Sequence, residues 1–363
     1  MNASRFVSAR LAGRAALVVL LAAALPVHAE PVAAPPAPAA PAAASPALIR
    51  PGEVWNDTDG RFINAHGGGM LFHEGTYYWY GEIKNGRTWA PESNRGWGGT
   101  RVWMEGVSCY SSPDLLRWKN EGNVLPANQD DPSSKIHKSK VLERPKVVFN
   151  AKTGKFVMWM HIDTEDYRLA EAGVAVADRP TGPFKFLGAI RPDGAMSRDL
   201  TVFADDDGKA YLFHASEENA TLHISLLSDD YLKPAGKFVR VFEKRSMEAP
   251  AVFKRGGKYY LVASGCTGWA PNAARSAVAD SIWGPWRELG NPARGPQADL
   301  TFRGQSTYVL PVAGKKDAFL FMADRWNQWD LAKSRYLWLP VRFTAEGFEI
   351  PWQDAWDLAT LGK

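Results

Sequence analysis

Apolar and aromatic residues fall in short runs along this chain, and the runs come in pairs. Residues 248–253 pass through Gly256-Gly257 into the aromatic run 259–262, and four other segments share that form. Residues 65–72 lead through Gly75 into 77–80, 143–149 through Gly154 into 156–160, 199–203 through Gly208 into 210–213, and 305–310 through Gly314 into 319–322. β-Branched and aromatic residues suit a pleated strand, and a glycine in the turn supplies a positive φ, so each pair predicts a β-hairpin. Third strands are expected at 173–177 and 276–279, since both end in a Gly-Pro-aromatic turn, Gly182-Pro183-Phe184 and Gly284-Pro285-Trp286. Three or four antiparallel strands recurring about every 50–80 residues predict an all-β fold, a five-bladed β-propeller.

The first residues read differently. Arg5, Arg10 and Arg14, the apolar run 15–25 and Val27-His28-Ala29 have the form of a secretory signal over 1–29, with an apolar run too short to span a bilayer. No Cys follows Ala29, so no lipoprotein anchor is expected. Residues 30–48 are dominated by Pro and Ala and predict a stiff linker, which leaves 49–363 for the folded domain. The mature chain is therefore expected to be secreted or periplasmic, monomeric, and free of the membrane. Loss of the signal removes three arginines and no acid, so the net charge falls from +4 to +1, and no nucleic-acid partner is expected. Cys109 and Cys266 stand on the first and fourth units, which are not neighbours in a ring of five, so no disulfide between them is expected.

Tryptophan is abundant, 15 in all, and Trp55, Trp89, Trp97, Trp103, Trp269, Trp326 and Trp329 fall in expected turns and loops. Indole faces stack on the C–H faces of sugar rings, so loop tryptophans beside carboxylates suggest an oligo- or polysaccharide partner. The innermost strands of a propeller bring their first residues to one end of the central channel. Those residues are His66 with Asn64, then Glu143, Asp199, Glu248 and Gln305. Three carboxylates converging on one funnel raise one another's pKa, and a raised carboxyl is a general acid. Glu82 and Glu105 flank a Trp-rich excursion that adds Trp103 to the sugar face. Trp269 and Asn272 of the fourth unit and Trp326, Asn327 and Trp329 of the fifth are placed to touch substrate. His161 and His214 end second strands and could face the channel. Each candidate also has a structural reading: Glu143 and Glu248 as caps of a strand start, Asp199 as a partner of Arg198, Gln305 as a polar cap, and His66 as a turn histidine.

These heads resemble those of the five-bladed propeller enzymes of glycoside hydrolase family 43. By position, Ser197-Arg198-Asp199 resembles the family's pKa-modulating acid and Glu248-Ala249-Pro250 its general acid. The first unit departs from the pattern, because Ile63-Asn64-Ala65-His66-Gly67-Gly68-Gly69 lacks the usual base. That departure is similar to the exo-β-1,3-galactanase branch, in which a Glu of the second blade and a Gln of the fifth line the site. Glu143 and Gln305 stand at those places. The resemblance runs over roughly 50–358, through Trp55-Asn56-Asp57-Thr58-Asp59-Gly60, Tyr78-Trp79-Tyr80-Gly81-Glu82 and Ser264-Gly265-Cys266-Thr267-Gly268-Trp269.

The resemblance implies an inverting exo-hydrolase that releases terminal galactose from β-1,3-galactan. Glu248 would protonate the glycosidic oxygen, and either Gln305 would position the water or Glu143 would take its proton. Galactofuranosidase, arabinofuranosidase or xylosidase activity is the alternative within the family, and a sugar-binding propeller without catalysis the alternative outside it. No cofactor is expected. Family members sometimes hold calcium in the channel, an option the resemblance leaves open; Ala204-Asp205-Asp206-Asp207-Gly208 reads as a hairpin turn and not a calcium loop.

Overall fold

A computed structural model describes residues 48–94 and 99–362. The expected signal, residues 30–47 of the expected linker, and 95–98 with Trp97 lie outside the described residues.

The paired runs do form hairpins, and each hairpin grows into an antiparallel meander. The first sheet takes His66–His73, Thr76–Glu82, Gly106–Ser112 and Lys119–Pro126 in order. The second takes Val141–Asn150, Lys155–Asp163, Glu171–Ala177 and Lys185–Ile190, and the third Leu200–Ala204, Ala210–Ser216, Thr221–Leu227 and Pro234–Val241. Met247–Arg255, Lys258–Gly265, Arg275–Ala279 and Arg287–Gly290 make the fourth, and Gln305–Pro311, Phe319–Arg325 and Arg335–Pro340 the fifth. A sixth, small sheet joins Ala293–Arg294, Phe348–Pro351 and Arg342–Phe343. Among the described residues there are thus six sheets of three or more strands, and the expected count of five does not hold. Strands of two to four residues carry too little alternation to be read from sequence.

The arrangement is an all-β propeller. The first strands of the first five sheets stand side by side around a centre, each beside the next, with Gln305–Pro311 returning to His66–His73. Leu48–Ile49 pairs antiparallel with Trp356–Asp357 and so ties the two ends of the domain together. Apolar clusters fill the spaces between successive sheets, which is why the second strands are nearly continuous apolar runs: both of their faces are covered. Trp79, Trp118 and Trp338 close the space between the fifth and first sheets. Trp55 belongs to them, with its ring 4.8 Å from that of Trp338, and so leaves the expected sugar face for the core.

One local feature shapes the centre. Four of the five inner strands break register at their first residues, between His66 and Gly69, Glu143 and Lys146, Glu248 and Ala251, and Ser306 and Tyr308. Such bulges bend a strand and re-aim its side chains. In three of them the residue after the head is left-handed, Gly67 at φ 60°, Arg144 at 57° and Ala249 at 53°. A Cβ at Gly67 would meet Glu82 Oε1 at 2.2 Å, so any larger residue there would displace the Glu82 carboxylate. The backbone groups freed from the ladders bond to neighbouring sheets. Gly67 N–H donates to Asp324 Oδ2 at 2.6 Å, and its carbonyl accepts from Lys146 Nζ at 2.8 Å. Ala249 N–H donates to Asp199 Oδ2 at 3.0 Å, and its carbonyl accepts from Ser306 Oγ at 2.6 Å. The bulges therefore lock the sheets to one another at the end where the acids gather.

Candidate active site

That end holds a cavity of about 450 Å³. Glu143, Asp199, Glu248 and Gln305 line it together, with Glu82, Trp269 and Trp326 of the expected binding residues. Lys84, Arg144, His161, Tyr167, Asn219 and Cys266 also line it and were not selected as site residues from sequence, His161 aside.

Glu248 carries the acid character. Burial, and then the charge of Asp199, push its carboxyl up to about 7, against the pull of Arg144, Cys266 and Asn219. Asn219 Nδ2 donates to its Oε1 at 2.8 Å. Asn219 sits in a turn where Glu217, Glu218 and Asn219 have φ of 52°, 56° and 65°, a left-handed run that composition does not announce. Asp199 bonds the backbone of Ala249, the residue after Glu248, and pairs with Arg144 at 3.0 Å. It does not pair with Arg198, which instead meets Glu218 at 2.5 Å.

Glu143 lies at the opposite extreme. Burial would raise its carboxyl, but the His161 hydrogen bond, the charges of Lys84 and His161 and the Tyr167 hydroxyl outweigh it and bring it down to about 2. Tyr167 donates to Oε1 at 2.8 Å and His161 Nδ1 lies 3.2 Å from Oε2. On its other nitrogen His161 meets Asp163 at 2.8 Å. Burial disfavours a charged ring, yet these two carboxylates raise His161 to about 10, so it is an imidazolium at neutral pH. Glu82, packed under Gly67, is raised to about 7 by burial, with Lys84 pulling back from 2.5 Å.

Arg144 links these acids. Its guanidinium donates to Gln305 Oε1 at 2.5 Å and to the Ser306 carbonyl at 3.1 Å while pairing with Asp199. Gln305 Oε1 also accepts from Trp326 Nε1 at 3.0 Å, and Gln305 Nε2 donates to Ser264 Oγ at 3.0 Å. The carboxamide is thereby fixed in orientation, with two donors on its oxygen and one nitrogen hydrogen left over. Trp269 and Trp326 meet edge to face at 5.4 Å, and the Trp269 N–H is buried without a partner among the described residues.

Three expected binding residues are placed elsewhere. His66 is fully buried, 3.2 Å from Asp324 through one nitrogen and 3.4 Å from the Tyr336 hydroxyl through the other, so it holds the inner strand and does not reach the cavity. Asn64 is spent on the 84–85 turn through Lys84 and Asn85. Trp103 is 51% exposed and meets Trp89 in a tilted contact at 5.3 Å, away from the cavity lining. Glu105 accepts a bond from Asn85, His214 Nδ1 donates to the Met196 carbonyl, and neither residue lines the cavity. Asn272, Asn327 and Trp329 border a neighbouring cavity.

Glu143, His161 and Asp199 place one donor atom each within 4.8 Å of one another. They do not fit a metal ion. His161 is held in its protonated form by two carboxylates, and Asp199 is already paired with a guanidinium. Deeper in the channel the fully buried Lys146 lies against Gly69, whose added Cβ would meet Lys146 Cδ at 2.6 Å. The centre thus carries its own cation, Arg144, with the Lys146 amine beside it pushed down to about 7 by burial and by the charge of Arg144.

Comparison with known proteins gives a consistent result. The family model for glycosyl hydrolases family 43 matches residues 70–348. A solved family 43 β-1,3-galactosidase, with galactodeoxynojirimycin, is 44% identical at a TM-score of 0.78, over 85% of this chain and 100% of that one. An exo-β-1,3-galactanase from Phanerochaete chrysosporium, solved with β-1,3-galactotriose, is 36% identical at a TM-score of 0.76, over 86% of this chain and 68% of that one. Among curated proteins, a β-D-galactofuranosidase of Aspergillus niger is 26% identical over 221 residues. Those residues are 56% of this chain and 64% of that relative, so the chain spans less than two thirds of its length.

Proposed function

The chain belongs to the glycosyl hydrolases of family 43, and from that premise we propose that it is an inverting exo-hydrolase that releases terminal galactose from β-1,3-galactan. The observation that carries the substrate is the β-1,3-galactosidase matched over its whole length at 44% identity. The chemistry rests on Glu248. A carboxyl raised to about 7 is still about half protonated at neutral pH and delivers its proton to the glycosidic oxygen as the bond breaks. Water attacks C1 from the opposite face, and once the new C1–O bond has formed its surplus, now strongly acidic proton is lost to solvent water. Gln305 orients that water through its remaining Nε2 hydrogen, because its oxygen is occupied by Arg144 and Trp326. An imidic form would require a proton on that oxygen and the loss of at least one of those bonds. Glu143, held at about 2, is a weak proton acceptor but a strong hydrogen-bond acceptor, suited to a hydroxyl of the terminal sugar. We read residues 1–29 as a signal that carries the chain to the periplasm or beyond, where it acts on polysaccharide as a monomer.

Linear β-1,3-galactan tests the reading directly. Galactose should be the only early product and should appear first as the α anomer by proton NMR. A ladder of oligosaccharides, a β anomer, or no product from this polymer would sink the proposal. The galactofuranosidase relative names the competing reading, and nitrophenyl galactofuranoside belongs in the same assay.

The acid assignment also fixes a pH dependence. Glu248 acts in its protonated form, so kcat/KM should be level below neutrality and fall about tenfold per unit above pH 7. Glu143 is ionised from about 2 upward and sets no limb in the working range. A profile measured from pH 4 to 9 that stays flat to its alkaline end would remove Glu248 from the acid role.

A further inference from the structure

The Trp269 and Trp326 pair is a shared wall. Gly268, Trp269, Gln305 and Trp326 line both the catalytic cavity and a second cavity of about 630 Å³. The second cavity is electrostatically one-sided, for Arg303, Arg325, Lys333 and Arg335 line it and no carboxylate does. Lys333 pairs with Asp330 at 2.8 Å. Among the described residues, Arg303, Arg325 and Arg335 make no ion pair; Arg325 bonds only the Phe302 carbonyl, and Arg335 the carbonyls of Lys333 and Ser334. Arg325 is half-buried, and burial together with the charge of Arg303 lowers its pKa from the usual guanidinium value. Three guanidinium groups with no acid paired to them among the described residues, two of them half-buried, favour an anion placed between them.

The backbone gives a second, independent sign. Thr301, Phe302 and Arg303 are consecutive left-handed residues, with φ of 51°, 57° and 64°. None is glycine, and such strain persists where the surroundings impose it, commonly at ligand sites. Here the surroundings are Thr301 Oγ1 on the Asn272 carbonyl at 2.7 Å and the Arg325 guanidinium on the Phe302 carbonyl at 3.0 Å. Their effect is to present Arg303, exposed, beside Gly304 and Gln305 on the cavity wall. Trp329 adds an indole that is 80% exposed. Indole faces suit a sugar ring and guanidinium groups suit an oxyanion.

We propose that this second cavity binds an anionic sugar unit, bearing a carboxylate or a sulfate ester, attached to the chain whose terminal bond lies in the catalytic cavity. The inference rests on the galactan-hydrolase reading for the identity of that chain.

The test compares β-1,3-galactotriose with the same triose carrying a glucuronosyl branch or a sulfate ester. Wild-type protein should show a kcat/KM about tenfold higher on at least one anionic substrate at low salt, an advantage that shrinks as salt is added. The doubly substituted Arg303→Gln/Lys333→Gln protein should bring that ratio close to one. Both side chains are exposed, so the fold should be retained, which a thermal melt confirms. Advantage for the glucuronosyl triose assigns the cavity to carboxylate, and for the sulfated triose to sulfate ester. A wild-type ratio near one on both, or an advantage that survives the double substitution, overturns the proposal. If the neutral triose itself is not cleaved, the galactan reading has failed instead. Titration calorimetry with glucuronosyl-galactose and galactose sulfate then decides the cavity alone: binding lost in the double variant supports it, and no binding of either overturns it.

Discussion

Glu248→Gln should lower kcat on galactan by roughly 10²–10⁴-fold while KM changes little. The substitution keeps the volume of the side chain and an oxygen for the Asn219 hydrogen bond, and removes only the transferable proton. Two further readouts separate loss of the acid from a distorted site. A nitrophenyl galactoside, whose leaving group needs little protonation, should retain far more of its rate than galactan does. The alkaline limb near pH 7 should disappear from whatever activity remains. Stability moves in the opposite sense. Glu248 has a folded pKa of about 7, above the ordinary 4.5, so its contribution is complete below 4.5 and is lost as pH rises through 7. Above that point a charged carboxylate faces Asp199, and the Gln variant should melt higher than wild type at pH 8. Equal losses on both substrates would show that Glu248 is not the proton donor.

The hairpins were legible because each consists of a long apolar or aromatic run on either side of a glycine, as in His66–His73 and Thr76–Glu82. From the propeller geometry it followed that the first residues of the inner strands meet, and Glu143, Asp199, Glu248 and Gln305 do line one cavity. What sequence concealed was the bulge. In a regular strand Arg144 would point away from Glu143, and nothing in Glu143-Arg144-Pro145 signals the left-handed residue that turns it toward Asp199 and Gln305. His66 and Asn64 lie outside the cavity lining for a related reason, since their partners Asp324, Tyr336 and Lys84 lie on other strands and turns that no local pattern connects. The tryptophans divided in the same way. Trp269 and Trp326 reach the cavity, whereas Trp55 is claimed by Trp338, 283 residues further on, a long-range contact that composition cannot foresee.

Arg144→Met should be the most damaging single change outside Glu248, costing about 3–5 kcal/mol of stability by a thermal or denaturant melt. The methionine fills the space but leaves Asp199 with the Ala249 N–H alone, and leaves Glu82, Glu143 and Asp324 without the guanidinium they share. Burial works against a charged Arg144, yet those four carboxylates hold its pKa above the ordinary value, a sign of how strongly they depend on it. Loss of the charge raises the pKa of two neighbours. Arg144 pulls the Glu248 pKa down, so any surviving activity should have its alkaline limb displaced upward from about 7. It also pushes the Lys146 ammonium down to about 7 after burial has done most of that work, so Lys146 should regain its proton and replace part of the missing charge. Arg144→Lys separates charge from geometry. An ammonium can face Asp199, but it lacks the fork that reaches Gln305 and the Ser306 carbonyl together. It should therefore recover much of the stability and little of kcat. If lysine restores both, Arg144 serves only as a counter-charge, and the placement of Gln305 over the attacking water does not depend on it.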